Sequence, residues 1–240
     1  MIQIRTGKTI EPFRLMVYGT PGIGKTTFAS LAPSPLIVQI EDGANRLDCA
    51  KTELIRRWED LTMFLQWLPL SEDYKTVVVD SVDALVDLAK EYICHNKRVE
   101  NVAEIPYGQG FKLLNETVAS VIQMLQEIKD SGKNIIVIGH SQLEKVISPI
   151  DGEFNRYNVE SDAKSSKNDF FKWCDICGFA HWKEVEVGNK RVRSRVIDFE
   201  ESRHFVAKTR YNVKPHYVLG PEFYNDLKTD ILNEGGNNNG

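Results

Sequence analysis

Residues 14–30 read RLMVYGTPGIGKTTFAS. Leu15–Tyr18 is an apolar run of strand length, a Gly-rich turn follows, and the residues after the turn favour a helix. The turn is Gly19-Thr20-Pro21-Gly22-Ile23-Gly24-Lys25-Thr26, which has the spacing G-x-x-x-x-G-K-T. Glycine at those places lets several backbone N–H groups close around a polyphosphate, where a side chain would stand in the way. Lys25 supplies a cation for the β- and γ-phosphates, and Thr26 supplies a hydroxyl oxygen for Mg²⁺. Thr27 carries the cradle into the helix, whose positive end adds to the anion site. An ordinary Gly-rich turn has no need of a buried strand before it and a helix after it. The ligands expected here are ATP and Mg²⁺.

Outward from this stretch, apolar strands alternate with helical segments. Pro33 and Pro35 stop the first helix, expected over Thr27–Leu31. Leu36–Ile40 reads as a second buried strand, and Lys75–Asp80 as a third, too continuously apolar to be half exposed. Asn45–Leu70 reads as mostly helical, with Trp58, Leu61, Phe64, Leu65 and Leu68 near helical spacing. Ser81 is placed to cap a helix over Val82–Asn96. Gln109–Lys129 is a long amphipathic helix with Phe111, Leu114, Val118, Val121, Ile122, Leu125 and Ile128 on its apolar side. Asn134–Gly139 is a fourth strand running into His140-Ser141-Gln142. Ser148–Asn168 is polar and poorly periodic and reads as a long functional loop. Ile176–Trp182 is a strand, Glu184–Val187 and Arg191–Val196 flank the hairpin signal Gly188-Asn189, and His204–Lys208 is a further strand.

The alternation predicts an α/β fold: a mostly parallel sheet covered by helices on both faces, with an antiparallel hairpin near the C-terminus. Residues 1–230 are expected to form one domain, with a polar lead-in over 1–13 and a disordered tail over 231–240. Of the 240 residues 42% are hydrophobic and 27% charged, enough for an ordinary globular core. The net charge of −4 excludes a chain that coats nucleic acid with its whole surface and leaves room for a local basic patch. Cys49, Cys94, Cys174 and Cys177 do not have the spacing of a disulfide framework. No signal peptide or membrane-spanning run is present in the sequence, and the expected setting is a reducing, bacterial-type cytoplasm without membrane attachment.

Ligands of such sheets gather at the C-terminal ends of the strands. The phosphate loop, Glu41, Asp80 and His140–Gln142 all fall at such ends. Asp80, closing an apolar strand, is the expected partner of Mg²⁺; Glu41 is the expected general base, with Asp42 in reserve; Gln142 or His140 is placed to orient water or sense the γ-phosphate.

LIVQIEDGANRLD, KTVVVDSVDAL and NIIVIGHSQLEK, following GTPGIGKT in this order, resemble the core of RecA-like recombinases and their helicase relatives. The chain as a whole resembles phage-encoded nucleotide-binding proteins with a RecA-like core, some of them of the recombination and single-strand annealing type. The resemblance spans roughly residues 12–220 and implies ATP binding, slow hydrolysis, self-association into a ring or filament, and binding of single-stranded DNA. It further implies a single-strand-binding protein or a helicase as partner. In it Glu41 matches the catalytic Glu, Asp80 the Mg²⁺ Asp and Gln142 the sensor Gln. Lys208-Thr209-Arg210 resembles the Lys-x-Arg finger that RecA-like helicases insert into a neighbour's site. Two alternatives of other classes stand beside this reading: a nucleotide-gated helicase loader or similar protein-partner switch, and a small-molecule kinase. The absence of an Arg-rich lid disfavours the kinase.

Two weaker signals remain. Cys174-x-x-Cys177 with His181 offers three zinc ligands, but the apolar setting of Cys177 favours buried thiols. Between Lys145 and Lys172, Lys145, Arg156, Lys164, Lys167 and Lys172 interleave with Phe154, Tyr157 and Phe170, a composition suited to single-stranded nucleic acid. Asp151, Glu153, Glu160, Asp162 and Asp169 nearly cancel that charge.

Overall fold

The computed structural model describes residues 12–150, 152–159, 166–187 and 190–233. The phosphate loop leaves strand β1 (Arg14–Gly19) and enters α1 (Lys25–Ala29). Strands β2 (Pro35–Gln39), β4 (Thr76–Asp80) and the first part of β5 (Asn134–Ser148) are buried on both faces, as their unbroken apolar runs require. With β3 (Ala50–Lys51), β6 (Gly152–Val159), β7 (Ile176–Val187), β8 (Lys190–Asp198), β9 (Lys208–Thr209) and β10 (His216–Val218) they form a ten-stranded sheet. Its order is β10-β8-β7-β1-β5-β4-β2-β3, with β6 on β5 and β9 on β7. Strands β3, β2, β4, β5, β1 and β7 run parallel, β8 runs antiparallel to β7 and β10 antiparallel to β8, so the expected fold class holds.

Two cores sit on the two faces of this sheet. On one, α2 (Trp58–Trp67), α3 (Val82–Lys97), α4 (Gln109–Asp130) and α5 (Ser166–Trp173) cover Met16, Tyr18, Val38, Val79 and Val137. On the other, α1 and α6 (Phe223–Asn233) cover Leu15, Val17, Ile37, Val78 and Ile136. The alternation along each strand is the period of two that pleating imposes. Phe28 of α1 is edge-on to Phe223 and stacked on Tyr224, so α6 clamps the helix of the phosphate loop. Ser81 accepts from the Ala84 N–H and caps α3 as expected.

Several expectations are corrected. The long helix over Asn45–Leu70 begins only at Trp58. Residues before it lie extended along the open edge of β2, with Thr52 N–H donating to the Ile37 carbonyl and Ile55 N–H to that of Gln39. An unpaired strand edge outweighed a modest helix propensity. Phe111, expected on the apolar side of α4, is exposed, whereas Leu114, Val118, Val121, Leu125 and Ile128 are buried. The loop expected over Ser148–Asn168 is largely regular: β5 runs on to Ser148 and pairs antiparallel with β6 from Ser141↔Val159 to Ser148↔Gly152. The strand expected over His204–Lys208 shrinks to Lys208–Thr209 on β7, with Phe205 bridging to Tyr157. Helix α6 takes 231–233 out of the expected tail, and Ile231 packs against the core. The lead-in over 1–11, Asp151, 160–165, the Gly188-Asn189 turn and the tail from 234 lie outside the described residues.

Candidate nucleotide site

The loop after β1 is bent by Gly22 and Gly24, whose φ angles of 76° and 100° belong to the left-handed region. Helix α1 has only five residues, so the backbone N–H groups of the loop carry more of the anion site than the helix does. Lys25 is 6% exposed. Its ammonium donates to the carbonyls of Gly19 (3.0 Å) and Thr20 (3.2 Å), which hold it beneath the loop. Burial lowers the Lys25 pKa, opposed by Asp80, Glu41 and Asp83.

Asp80 ends β4, and burial raises its pKa against the hydrogen bond from Thr26. The Thr26 hydroxyl donates to Asp80 Oδ2 at 2.8 Å, so the two expected Mg²⁺ ligands from separate elements face each other. Both are hard oxygen donors, and Mg²⁺ asks a protein for only one or two such groups beside water and phosphate oxygens. This donor pair fits the ion. The Asp80 carbonyl accepts from the N–H groups of Ile40 (2.8 Å) and Glu41 (3.0 Å), which ties the end of β2 to the end of β4. Ser81 donates its hydroxyl to Glu41 Oε2 at 2.8 Å and fixes the carboxylate over the crevice.

His140, on β5, takes the place expected to be shared with Gln142. Its backbone N–H donates to Asp83 Oδ2 at 2.8 Å, its Nδ1 lies 3.2 Å from the same oxygen, and its Nε2 lies 3.8 Å from Glu41 Oε1. The hydrogen bond to Asp83 raises the His140 pKa, with burial and Lys25 opposing. Gln142 lies further out on the same strand, opposite Asn158, and is not among the residues lining the crevice.

The crevice encloses about 330 Å³ and is lined by Pro21, Gly22, Gly24–Thr27, Glu41, Gly43, Asp80, Ile138, His140 and Arg195. Thr27 lines the crevice, while Gly19 and Thr20 contribute the carbonyls that hold Lys25. The loop member Ile23 is instead buried in the α1-side core. Lys208 and Arg210 lie elsewhere. Arg210 pairs with Asp175 at 3.0 Å, and Lys208 donates to the Lys172 carbonyl and sits over the Phe171 ring. Asp175 accepts from the Arg14 N–H at the start of β1, roughly a strand length of ~16 Å from the phosphate loop.

Sequence reasoning missed Asp83 as the group that orients His140, although an acid in the first turn of α3 is visible in VVVDSVD. It also missed Arg195. The alternation RVRSRVID places Arg191, Arg193 and Arg195 on one strand face, but which of them meets the loop depends on the pairing of β8. Cys174 and Cys177 are fully buried, and His181 is turned to Asp198 at 2.7 Å rather than toward the thiols.

A phosphate loop, a Thr–Asp pair suited to Mg²⁺ and a carboxylate beyond the next strand, set at the ends of parallel strands, are the features of a phosphate-loop NTPase. The chain belongs to the AAA domain family (AAA_24), which it matches over residues 11–211. It is similar to the SPbeta prophage-derived uncharacterized protein YorG of Bacillus subtilis (strain 168), 27% identical over 143 residues. That match spans 58% of this chain and 44% of the relative. Among solved structures it is similar to the KaiC-like protein PH0186 of Pyrococcus horikoshii OT3, with 13% identity, 88% of each chain covered and a TM-score of 0.46. Among the described residues no helix is long and apolar enough to cross a membrane.

Proposed function

We propose that this protein binds Mg²⁺-ATP, hydrolyses it, and uses the cycle to act on single-stranded DNA in phage recombination or replication. The observation that carries the nucleotide part is the convergence of Lys25, the Thr26–Asp80 pair and the Ser81-held Glu41 in one crevice. Loop N–H groups and Lys25 bind the phosphates; Thr26 and Asp80 hold Mg²⁺, which when bound neutralises charge on the phosphate oxygens. Glu41 takes the proton of the attacking water, and His140, held by Asp83, faces the same space. The prophage origin of the relative YorG supports the phage setting.

The DNA part is supported by placement. The β5–β6 hairpin starts its pairing at Ser141, the residue after His140, so a change at the phosphates has a direct covalent route to it. It carries Lys145, Arg156, Phe154 and Tyr157. Further copies of the chain, arranged as a ring or filament, would line up several such hairpins on one strand. In that arrangement Lys208 and Arg210, remote from their own loop, are available only to a neighbour's nucleotide, and Arg210 must first leave Asp175.

One observation favours a second reading, a nucleotide-gated switch for a protein partner such as a helicase or a single-strand-binding protein. The hairpin's cations are already paired, Lys145 with Glu153 and Arg156 with Glu144 and Glu201, while Leu143, Ile147 and Ile150 are 59%, 79% and 93% exposed. Apolar tips with neutralised cations suit protein better than phosphate. Fluorescence anisotropy with a labelled oligothymidylate, with and without ATP or a non-hydrolysable analogue, across a salt series, separates the two. ATP-dependent binding that weakens as salt rises supports the first reading. No binding even at low salt, by a chain that binds ATP, selects the second.

A further inference from the structure

Strand β8 carries three arginines on one face, and two of them are occupied. Arg191 pairs with Glu186 at 3.8 Å, and Arg193 lies 5.2 Å over the Trp182 ring. Arg195 has no carboxylate partner among the described residues, yet it is half-buried and lines the phosphate crevice. Its position follows from the sheet. Ile197 pairs with Ala180 of β7, and Ala180 pairs with Gly19, the last residue of β1. Because β8 runs antiparallel, stepping back from Ile197 to Arg195 carries the chain past the end of β1, over the phosphate loop. The same step keeps the face, and Ile197 packs in the core that holds α1. The guanidinium lies so close to the loop that a Cβ at Gly24 would stand 2.5 Å from one of its nitrogens and 3.4 Å from its central carbon. The tip of the arginine thus lies in the space that a side chain at Gly24 would enter.

We infer that Arg195 is a catalytic cation supplied in cis: it contacts the phosphate chain from above while Lys25 holds it from below. The inference rests on the reading of the crevice as a site of ATP hydrolysis. In that reaction the water oxygen bonds to the γ-phosphorus as the bond from that phosphorus to the bridging oxygen breaks. The electron pair goes to the terminal oxygen of ADP, and the water's proton passes to Glu41. Negative charge grows on the bridging oxygen and is spread over the γ-phosphoryl oxygens, within reach of a guanidinium laid against Gly24. An arginine that presents several N–H groups in a planar fork meets those oxygens better than a point charge does. A site so equipped holds a second cation of its own before any neighbour's cation arrives.

The test compares wild type, Arg195→Ala and Arg195→Lys by steady-state ATPase rate across protein concentration. ATP affinity is measured with a fluorescent ATP analogue and folding by thermal unfolding. Arg195→Ala is expected to lose roughly 10²–10⁴-fold in turnover, with ATP affinity changed by less than about tenfold, because the cation acts on charge that develops in the transition state. Arg195→Lys should recover affinity and little of the rate, and serves in place of the alanine variant should that one fail to fold. Folded Arg195→Ala and Arg195→Lys chains within about threefold of the wild-type rate overturn the inference. So does restoration of Arg195→Ala activity by added Lys25→Ala chains, which would place the cation in trans. A wild-type chain that binds ATP and never hydrolyses it removes the parent reading, and this inference with it, without recourse to any variant.

Discussion

Lys25→Met tests the anion site most directly, because methionine keeps the buried stem and removes only the charge. A phosphate charge about 4 Å from an ammonium, at an effective dielectric constant of about 20, is worth about 4 kcal/mol. The free protein offsets part of this, since Lys25 gives up hydrogen bonds to the Gly19 and Thr20 carbonyls, and a charge-assisted bond is worth about 1.5–3 kcal/mol. The remainder, about 1–2.5 kcal/mol, corresponds to a rise in Kd for ATP of roughly 5- to 70-fold. Stability should move little. Burial penalises the Lys25 charge in the folded state, and losing that penalty opposes the loss of donors to the two carbonyls. The melting temperature should therefore stay within a few degrees, since a chain of this size shifts by about 2–4 °C per kcal/mol. Isothermal titration with Mg²⁺-ATP and thermal unfolding measure the two quantities on the same sample. A folded Lys25→Met chain that binds ATP within threefold of wild type would refute the assignment of the loop.

Glu41→Gln should keep ATP bound and lower turnover by ~10²–10⁴-fold in a single-turnover assay, whereas Asp42→Asn should not; the reverse pattern would name Asp42 as the base. His140 faces Asp83 of α3, Glu41 beyond β2 and Lys25 of α1, and its pKa lies above the ordinary 6.5, chiefly through Asp83. Its protonation therefore adds stability that is fully present below pH 6.5 and lost as pH rises through the raised value. His140→Gln should flatten denaturant-measured stability across that window, and an unchanged pH profile would show that the pair with Asp83 does not form in solution. Phe28→Ala removes a ring packed between Phe223 and Tyr224 and should cost about 3–5 kcal/mol in urea unfolding; a loss under 1 kcal/mol would mean that α6 does not clamp α1.

Much of the candidate nucleotide site was legible in the chain because its parts are local. A Gly-rich turn needs its own glycines, a buried parallel strand announces itself as an unbroken apolar run, and an acid at the end of such a run has one place to point. Lys25, Thr26, Glu41 and Asp80 are proposed on that ground, and the structure brings them into one crevice. The β5–β6 ribbon carried a signal that was passed over, the Asp151-Gly152 pair between two weakly alternating segments. Polar residues on both faces hid its period, because a two-stranded ribbon outside the core has no buried side to write into the sequence.

What only the tertiary structure decided is which distant side chains share a space. Periodicity places Arg195 on a strand face. Whether that face overlooks the loop depends on β8 pairing with β7 beside β1, a contact between residues far apart in the chain. His140 rather than Gln142 meets Glu41 because Asp83, in the first turn of α3, takes hold of it. Arg210 lies at the far end of the sheet because Asp175, fixed by Arg14 at the start of β1, captures its guanidinium. Local chemistry selects residue types for a phosphate site; sheet order and the pairing of remote charges select which cations reach it.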